Sequence, residues 1–305
     1  MAEPSRPICE YDDYDYRGLF WTPERGYEDA VERIALRRLL PPQGRRLVEI
    51  GAAYGRLADL YQGYEEVVLL DPAKSQLREA RKRLGADQRY IYVVGDIYRL
   101  PLAASAFDVA LTVRVLHHLT DVPSAFREVH RVLRPQGGYV LEYANKRNLK
   151  EILRYLVGRS QREPFSPQPV EYAPLHFDFH PSYIEDALRE ANLEPERSLA
   201  VSSLRLALLK RLLPLQWLVR MDRLLQAPTA PLRLAPSMFL LTRAEKDGPS
   251  SDRLFRCPAC GGEDLYEEGS LLSCRRCGRE YPVEDGIYDF ASPRGEGLNC
   301  EGAQG

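Results

Sequence analysis

The stretch from Arg46 to Asp71, RLVEIGAAYGRLADLYQGYEEVVLLD, constrains the fold of this chain more than any other. Two short apolar runs, LVEI and VVLL, flank a glycine-punctuated turn and a helix-like segment, and the second run ends in an aspartate. Runs of this length bounded by turn residues read as strands, and strand, turn, helix and strand in that order build a parallel sheet. Gly51 and Gly55 lie in the first turn, where backbone amides can approach a ligand at the opening of the helix. Asp71 follows Gly51 by 20 residues, about where such a unit offers a carboxylate to ribose hydroxyls. The stretch outlines an adenosine site.

Glycine spacing says which adenosine cofactor fits. A dinucleotide fingerprint needs glycine at positions 51, 53 and 56, which here hold Gly51, Ala53 and Arg56. A G-x-G-x-G turn needs positions 51, 53 and 55, and Gly51 and Gly55 satisfy two of the three. The turn leans away from a nicotinamide dinucleotide, and hence from an oxidoreductase.

Downstream, strand and helix alternate. A helix is expected over Ala73–Leu84, ended by Gly85, then a strand YIYVVGD, a continuous apolar strand FDVALTV, a helix over Pro123–Leu133 and a strand YVLEYA. Continuous apolar runs suit strands buried on both faces of a parallel sheet, and the alternation is the doubly wound α/β pattern. Upstream, Ala30, Val31, Ile34, Leu36 and Leu39 predict an amphipathic helix from about Glu24 to Leu40, which Pro41 and Pro42 terminate. The aromatic lead-in, Tyr14, Tyr16, Phe20 and Trp21, suits either a lid over a cofactor or a segment packed on the core.

With these motifs in place, residues 25 to 145 resemble the class I S-adenosylmethionine-dependent methyltransferases, in the broad group that includes ubiquinone and menaquinone biosynthesis methyltransferases. VEIGAAYG, VVLLDP, GDIYRLPLAASAFDVA, VRVLHHLTDV and LRPQGGYVLEY match the family's motifs in order. The resemblance implies a Rossmann-like, doubly wound, mostly parallel seven-stranded sheet that binds S-adenosyl-L-methionine as methyl donor. It implies that Glu49, Gly51, Ala53 and Gly55 surround the methionine part, that Asp71 and Pro72 hold the ribose, and that Asp96 and Ile97 contact the adenine, with Arg114 also at the cofactor. Ala53 stands where the family has its middle glycine. Methyl transfer from a sulfonium is an in-line displacement that rests on alignment in a dry pocket, and a base is needed only for a nucleophile that must lose a proton. His117 and His118, at the carboxyl edge of the sheet, are the candidates for such a base or for orienting the acceptor.

The chain from Asn145 to Leu234 is less regular and predicts the acceptor region. A helix near Leu149–Val157 leads into the proline-rich loop EPFSPQPVEYAP, and HPSYIEDALREANL reads as a helix with Pro181 in its first turn. In HFDFH, His176, Asp178 and His180 share a face at strand spacing, which suits a metal or substrate cluster or, before Pro181, a helix cap. Residues 204–225 form a basic, leucine-rich pair of helices broken at Pro214, suited to an anionic membrane surface, to a lipid-like acceptor, or to a cap with its arginines in water.

Four of the six cysteines lie in CPAC and CRRC, separated by the thirteen residues from Gly261 to Ser273. Two such knuckles, Cys257 with Cys260 and Cys274 with Cys277, predict a closed, structural Zn2+ site, a redox dithiol being the alternative. CPACGG with LLSCRRCGREYPVEDGIYDF resembles the small zinc-ribbon proteins that activate methyltransferases as separate subunits in archaea and eukaryotes, and implies a ribbon that docks on the catalytic domain or recruits a partner.

The expected organisation is a lid or disordered lead-in over 1–23, a methyltransferase domain over 24–245 with a variable cap at 145–234, a linker over 246–252, a zinc ribbon over 253–292 and a disordered tail over 293–305. A net charge of -2 gives no reason to expect DNA as a partner. The absence of a signal-peptide pattern or an 18-residue apolar run leads to the expectation of a cytoplasmic enzyme. The expected acceptor is a hydrophobic small molecule; a protein or RNA acceptor, or a non-catalytic scaffold that uses the ribbon for a partner, are the alternatives.

Overall fold

A computed structural model of the chain describes Trp21 and residues 25–292. The expectations for Tyr14, Tyr16, Phe20 and the tail from 293 fall outside the described residues. Strand β1, Gly44–Ile50, pairs in parallel with β2, Tyr64–Asp71, on one side and with β4, Phe107–Thr112, on the other. Outside β2 lies β3, Tyr90–Val94, and outside β4 lies β5, Leu133–Ala144, both parallel. Two antiparallel strands close that edge, β9, Ser237–Ala244, and then β8, Leu193–Val201. The order β3-β2-β1-β4-β5-β9-β8 reverses direction between β1 and β4, which opens a crevice at the carboxyl ends there.

The apolar runs read in the sequence are the buried middle of this sheet: Val48, Val68, Val93, Leu111 and Leu141 are fully enclosed. Helices α1, Gly26–Leu39, and α2, Lys74–Leu84, cover one face through Leu36 and Leu77. The opposite face takes α3, Val122–Val132, and α5, Pro181–Glu190, through Phe126 and Ile184. Two of these helices have side-chain caps: Asp121 accepts from the Ser124 amide at the head of α3, and His180 accepts from the Ser182 amide at the head of α5. Helix α4, Leu149–Leu156, follows β5, and Pro214 divides α6, Ala207–Leu212, from α7, Leu215–Leu225. No helix among the described residues is long and apolar enough to cross a membrane.

Two readings of the sequence require correction. The helix expected between β1 and β2 is absent, replaced by turns and a short 3-10 segment, Ala58–Leu60. Ala53 and Gly55 both take positive φ, 45° and 69°, and the amides of Gly55, Ala58 and Tyr61 bond three residues back, to Ala52, Gly55 and Ala58. Two left-handed residues so close together leave no room for a bond four residues back. Arg33 of α1 ties this loop down, donating from Nη2 to the Arg56 carbonyl at 2.7 Å and from Nη1 to Asp59 at 2.9 Å. The second correction concerns EPFSPQPVEYAP, read as a loop: its end forms β6, Val170–Ala173, in a hairpin with β7, His176–Asp178.

The cysteine-rich segment is not a bead on a linker. Strands β10, Leu265–Glu268, β11, Leu271–Cys274, and β12, Glu280–Glu284, run antiparallel, and β13, Ile287–Asp289, leaves them to pair in parallel with β3. Tyr92 stands opposite Ile287 and Val94 opposite Asp289, so the central sheet continues into the ribbon as one sheet of eleven strands. Lys74 Nζ bridges Glu284 and Asp289 at 2.9 Å each, and backbone bonds join Ala103 to Leu254 and Arg256 to Pro101. The residues expected to be a linker are held too, with the Arg46 guanidinium donating to the carbonyls of Asp252 and Arg253.

Candidate functional site

The crevice at the strand ends is a cleft of about 1020 Å³, partly open to solvent. On its wall Glu49 comes from the end of β1 with Gly51 and Ala53 just after it, Asp71 ends β2 with Pro72 following, Asp96 and Ile97 follow β3, and Arg114 follows β4. Eight of the nine candidate cofactor residues are thereby brought together. The ninth, Gly55, is not: its Cα faces Leu84, Leu69 and Ala80 between the sheet and α2, and it serves the turn through its φ of 69°.

Gly51 admits nothing larger, because a Cβ there would lie 2.3 Å from Val115 Cγ2 at a φ of 78°. Its amide donates to the Leu70 carbonyl at 2.7 Å, which draws the turn over the end of β2. The amide of Ala53 donates to Asp71 Oδ2 at 2.8 Å, and that of Ala73 to Asp71 Oδ1 at 2.9 Å. One carboxylate thus orients both the turn and the start of α2. Ala53 sits at φ 45°, where a Cβ costs about 1 kcal/mol relative to glycine. Ala53→Gly is therefore expected to stabilise the protein by roughly 0.5–1 kcal/mol, seen as a higher denaturation midpoint at an unchanged denaturant slope.

Glu49 is 4% exposed, and its Oε2 finds no hydrogen-bond partner. Burial raises its carboxyl to about 8, against the opposing pulls of Tyr61 and then Arg56. A buried, unsatisfied carboxyl oxygen on a cleft wall is incomplete without a donor or a cation. That fits a ligand carrying an ammonium and a sulfonium. At the other end, Asp96 accepts from the Tyr98 amide at 2.8 Å, and Ile97 and Leu119 line an apolar slot suited to a flat base.

Over the cleft lies Trp21, its ring 3.8 Å from the Arg56 guanidinium carbon and 4.9 Å from that of Arg114. Glu32 of α1 accepts from both arginines, at 2.9 Å from Arg56 and in a short contact with Arg114. Glu32 and Arg56 carry no signal in the sequence, where both look like ordinary charges beside a helix. Only their burial marks them.

His118 lines the cleft, whereas His117 packs behind it with ring centroids 4.0 Å apart. His118 Nδ1 is 3.1 Å from the Leu175 carbonyl, which can only accept, so Nδ1 carries the proton and Nε2 the lone pair. Burial lowers His118 to about 4 and holds His117 well below the usual imidazole value, so both rings are neutral near pH 7. His176 from β7 closes on His118 at 4.7 Å, and Tyr172 on His176 at 5.8 Å, which extends an aromatic wall away from the cleft. The HFDFH cluster separates accordingly: His176 joins this wall, His180 caps α5, and the three do not converge on a metal.

The four cysteines do converge. Cys257 and Cys277 Sγ are 3.7 Å apart, Cys260 and Cys274 Sγ 3.6 Å, and all four ligand atoms lie within 4.8 Å of one another. A tetrahedron with zinc–sulfur bonds of about 2.3 Å has edges of about 3.8 Å, so the set fits zinc with no open position. The Tyr281 hydroxyl, 3.1 Å from Cys257 Sγ, and the Gly262 amide, 3.4 Å from Cys260 Sγ, supply donors that orient thiolates.

Residues 48–141 match a family model described as a methyltransferase domain, and residues 254–286 one described as Trm112p-like protein. The chain is 34% identical over 117 residues to a ubiquinone/menaquinone biosynthesis C-methyltransferase of Dinoroseobacter shibae, covering 36% of this chain and 47% of that protein. It is 28% identical over 125 residues to a malonyl-(acyl-carrier protein) O-methyltransferase of Legionella pneumophila, covering 40% of this chain and 43% of that one. The chain thus spans less than half the length of these curated relatives. Among solved structures, a complex of the Haloferax volcanii Trm112 methyltransferase activator is similar with a TM-score of 0.54 at 16% identity, over 78% of this chain and 100% of that one. An S-adenosylmethionine-dependent methyltransferase from Mesorhizobium loti is similar with a TM-score of 0.53 at 21% identity, over 72% and 100%. The fold is that of the class I methyltransferases.

Proposed function

From the methyltransferase domain and the Trm112p-like ribbon that this one chain carries, we propose that it is an S-adenosyl-L-methionine-dependent methyltransferase that modifies a hydrophobic small molecule and is braced by a structural Zn2+ site. The observation that carries the cofactor reading is the unsatisfied Glu49 oxygen in the same cleft as Asp71 and Asp96. Glu49 would meet the ammonium of the methionine part, Asp71 the ribose diol and Asp96 with Ile97 the adenine. Bound there, the cofactor supplies an electrophilic methyl group on a sulfonium.

The chain's own task is alignment and exclusion of water. Trp21 covers the methionine end, with Arg56 and Arg114 held by Glu32 on either side. The acceptor side begins at His118 and continues along His176 and Tyr172. The neutral imidazole of His118 does not repel a sulfonium, and its Nε2 lone pair orients an acceptor by accepting a hydrogen bond rather than by storing a proton. An apolar, aromatic approach favours an aromatic or lipid-like acceptor over a charged one. The curated relative named for ubiquinone and menaquinone biosynthesis supports that class.

Titration calorimetry should find one S-adenosylmethionine per chain. Asp71→Ala should weaken it roughly 30-fold, as expected for losing about 2 kcal/mol of charge-assisted hydrogen bonding. Incubation with methyl-labelled cofactor and a cell extract then identifies the acceptor, with label expected in the organic-soluble small-molecule fraction. Label in protein or RNA would move the acceptor to those classes. Absence of cofactor binding would leave a scaffold that keeps the fold.

A further inference from the structure

Helices α6 and α7 carry an outward face that neither the cleft nor the ribbon uses. Asp222 is the one acidic residue between 204 and 225, and it is 0% exposed. It accepts from the Tyr27 hydroxyl at 2.7 Å and the Ser203 amide at 2.9 Å. Two of the basic residues turn inward with it, Lys210 at 2.7 Å and Arg205 at 3.1 Å from Glu28 of α1. What remains outside is of one sign: Arg211, Arg220 and Arg223 are exposed.

Between those arginines stand large apolar side chains in water. Trp217 is 53% and Leu224 is 74% exposed, with Leu212 and Met221 also open. Trp217, Met221 and Leu224 are spaced four and three residues apart, hence on one side of α7, while Leu218 and Asp222 form the buried side. The Arg220 guanidinium carbon is 5.4 Å from the Trp217 ring centroid, so the stem of this arginine runs along the apolar stripe with its charge at the edge.

We propose that this face docks the protein on an anionic lipid bilayer, with Trp217, Met221 and Leu224 at the boundary between headgroups and acyl chains and the three arginines on lipid phosphates. An exposed apolar stripe edged only by cations has the form of an interfacial helix. A second copy of the chain is a poor occupant, because a self-complementary dimer would bring arginines against arginines with no acid among them. The proposal concerns location at a surface and holds whatever the acceptor of the cleft.

The test is co-sedimentation of the full-length, metal-loaded protein with phosphatidylcholine vesicles, with and without phosphatidylglycerol. Binding is expected only to the anionic vesicles and should weaken as salt rises. Replacing Arg211, Arg220 and Arg223 together by Gln should lower the partition coefficient on the order of 100-fold, at roughly 5-fold for each charge near the surface. Trp217→Glu should abolish binding, and Leu224→Glu, at a more exposed position, repeats the measurement with less demand on the fold. Far-ultraviolet circular dichroism and S-adenosylmethionine affinity should be unchanged in all three. Equal binding to both vesicle types, no binding by the parent protein, or a concentration-dependent dimer dissolved by Trp217→Glu would each overturn the proposal.

Discussion

Withdrawing the metal from the four-cysteine site, by a strong chelator or by Cys277→Ser, is expected to unfold residues 253–292 and to lower the thermal midpoint of the whole chain by roughly 10–20 °C. A four-thiolate zinc site supplies on the order of 10 kcal/mol of apparent binding energy to a module of this size, and a chain of this length, at about 2.1 cal/mol/K of unfolding entropy per residue, shifts by roughly 1–2 °C for each kcal/mol lost. The effect spreads because the ribbon has no core of its own. Cys257, Leu272, Tyr281 and Phe290 belong to the same buried cluster as Leu100, Leu102 and Phe126. Loss of β13 would also bare the edge of β3, a row of unpaired backbone groups that invites aggregation.

The cofactor should weaken as well. Pro72, Gly95 and Asp96 share a second cavity with Pro258, Tyr281 and Phe290, so the cleft wall at Asp96 is backed by the ribbon. Calorimetry and metal content measured on one sample check this. A midpoint that moves by less than about 2 °C on complete metal removal would show that the ribbon is held by its sheet pairing and core alone.

The second large effect is on pH. Between pH 6 and pH 8, S-adenosylmethionine affinity is expected to rise about 100-fold and then level off, at about tenfold for each unit below the raised carboxyl. The cause is Glu49, which burial holds protonated up to about 8. A cationic ligand requires the carboxylate, so binding below that value must expel a proton. Titrations in buffers of different ionisation enthalpy should then report about one proton released at pH 6 and none well above pH 8. Glu49→Gln should bind more weakly at high pH and lose the pH dependence, and a flat profile in the parent protein would remove Glu49 from the ligand.

Stability of the ligand-free protein runs the other way. The folded carboxyl titrates higher than the unfolded one, so the folded state holds this proton more tightly. Its contribution is complete below the ordinary carboxyl value of 4.5 and is lost as pH rises through about 8. Cofactor should restore stability at the alkaline end, where it finds the carboxylate already formed.

Much of the candidate site is legible because its residues lie at or just after the ends of strands that a parallel sheet must bring together. Asp71 ends one apolar run, Asp96 follows another, and Gly51 follows a third. The metal site is more legible still, since two knuckles on tight turns nearly specify four thiolates. Strand β8, LEPERSLAV, was harder to see: its outer residues are charged, and only Leu193 and its last three residues are buried. The Glu32 bridge to Arg56 and Arg114 gave no signal, because it joins three segments that the chain sets far apart.

By itself the sequence determined what depends on neighbours along the chain: the runs that become buried strands, the cap of α5 before Pro181, the break at Pro214, the cysteine spacing, and the order of motifs that places carboxylates around one crevice. Only the tertiary structure decided what depends on partners far apart. It left no helix between β1 and β2, because two left-handed residues and the grip of Arg33 hold that segment as turns. It turned Gly55 inward, and it set Trp21 between two arginines over the cleft. It also joined the ribbon to the sheet, because an unpaired β3 edge and a small module without its own core are each satisfied by the other.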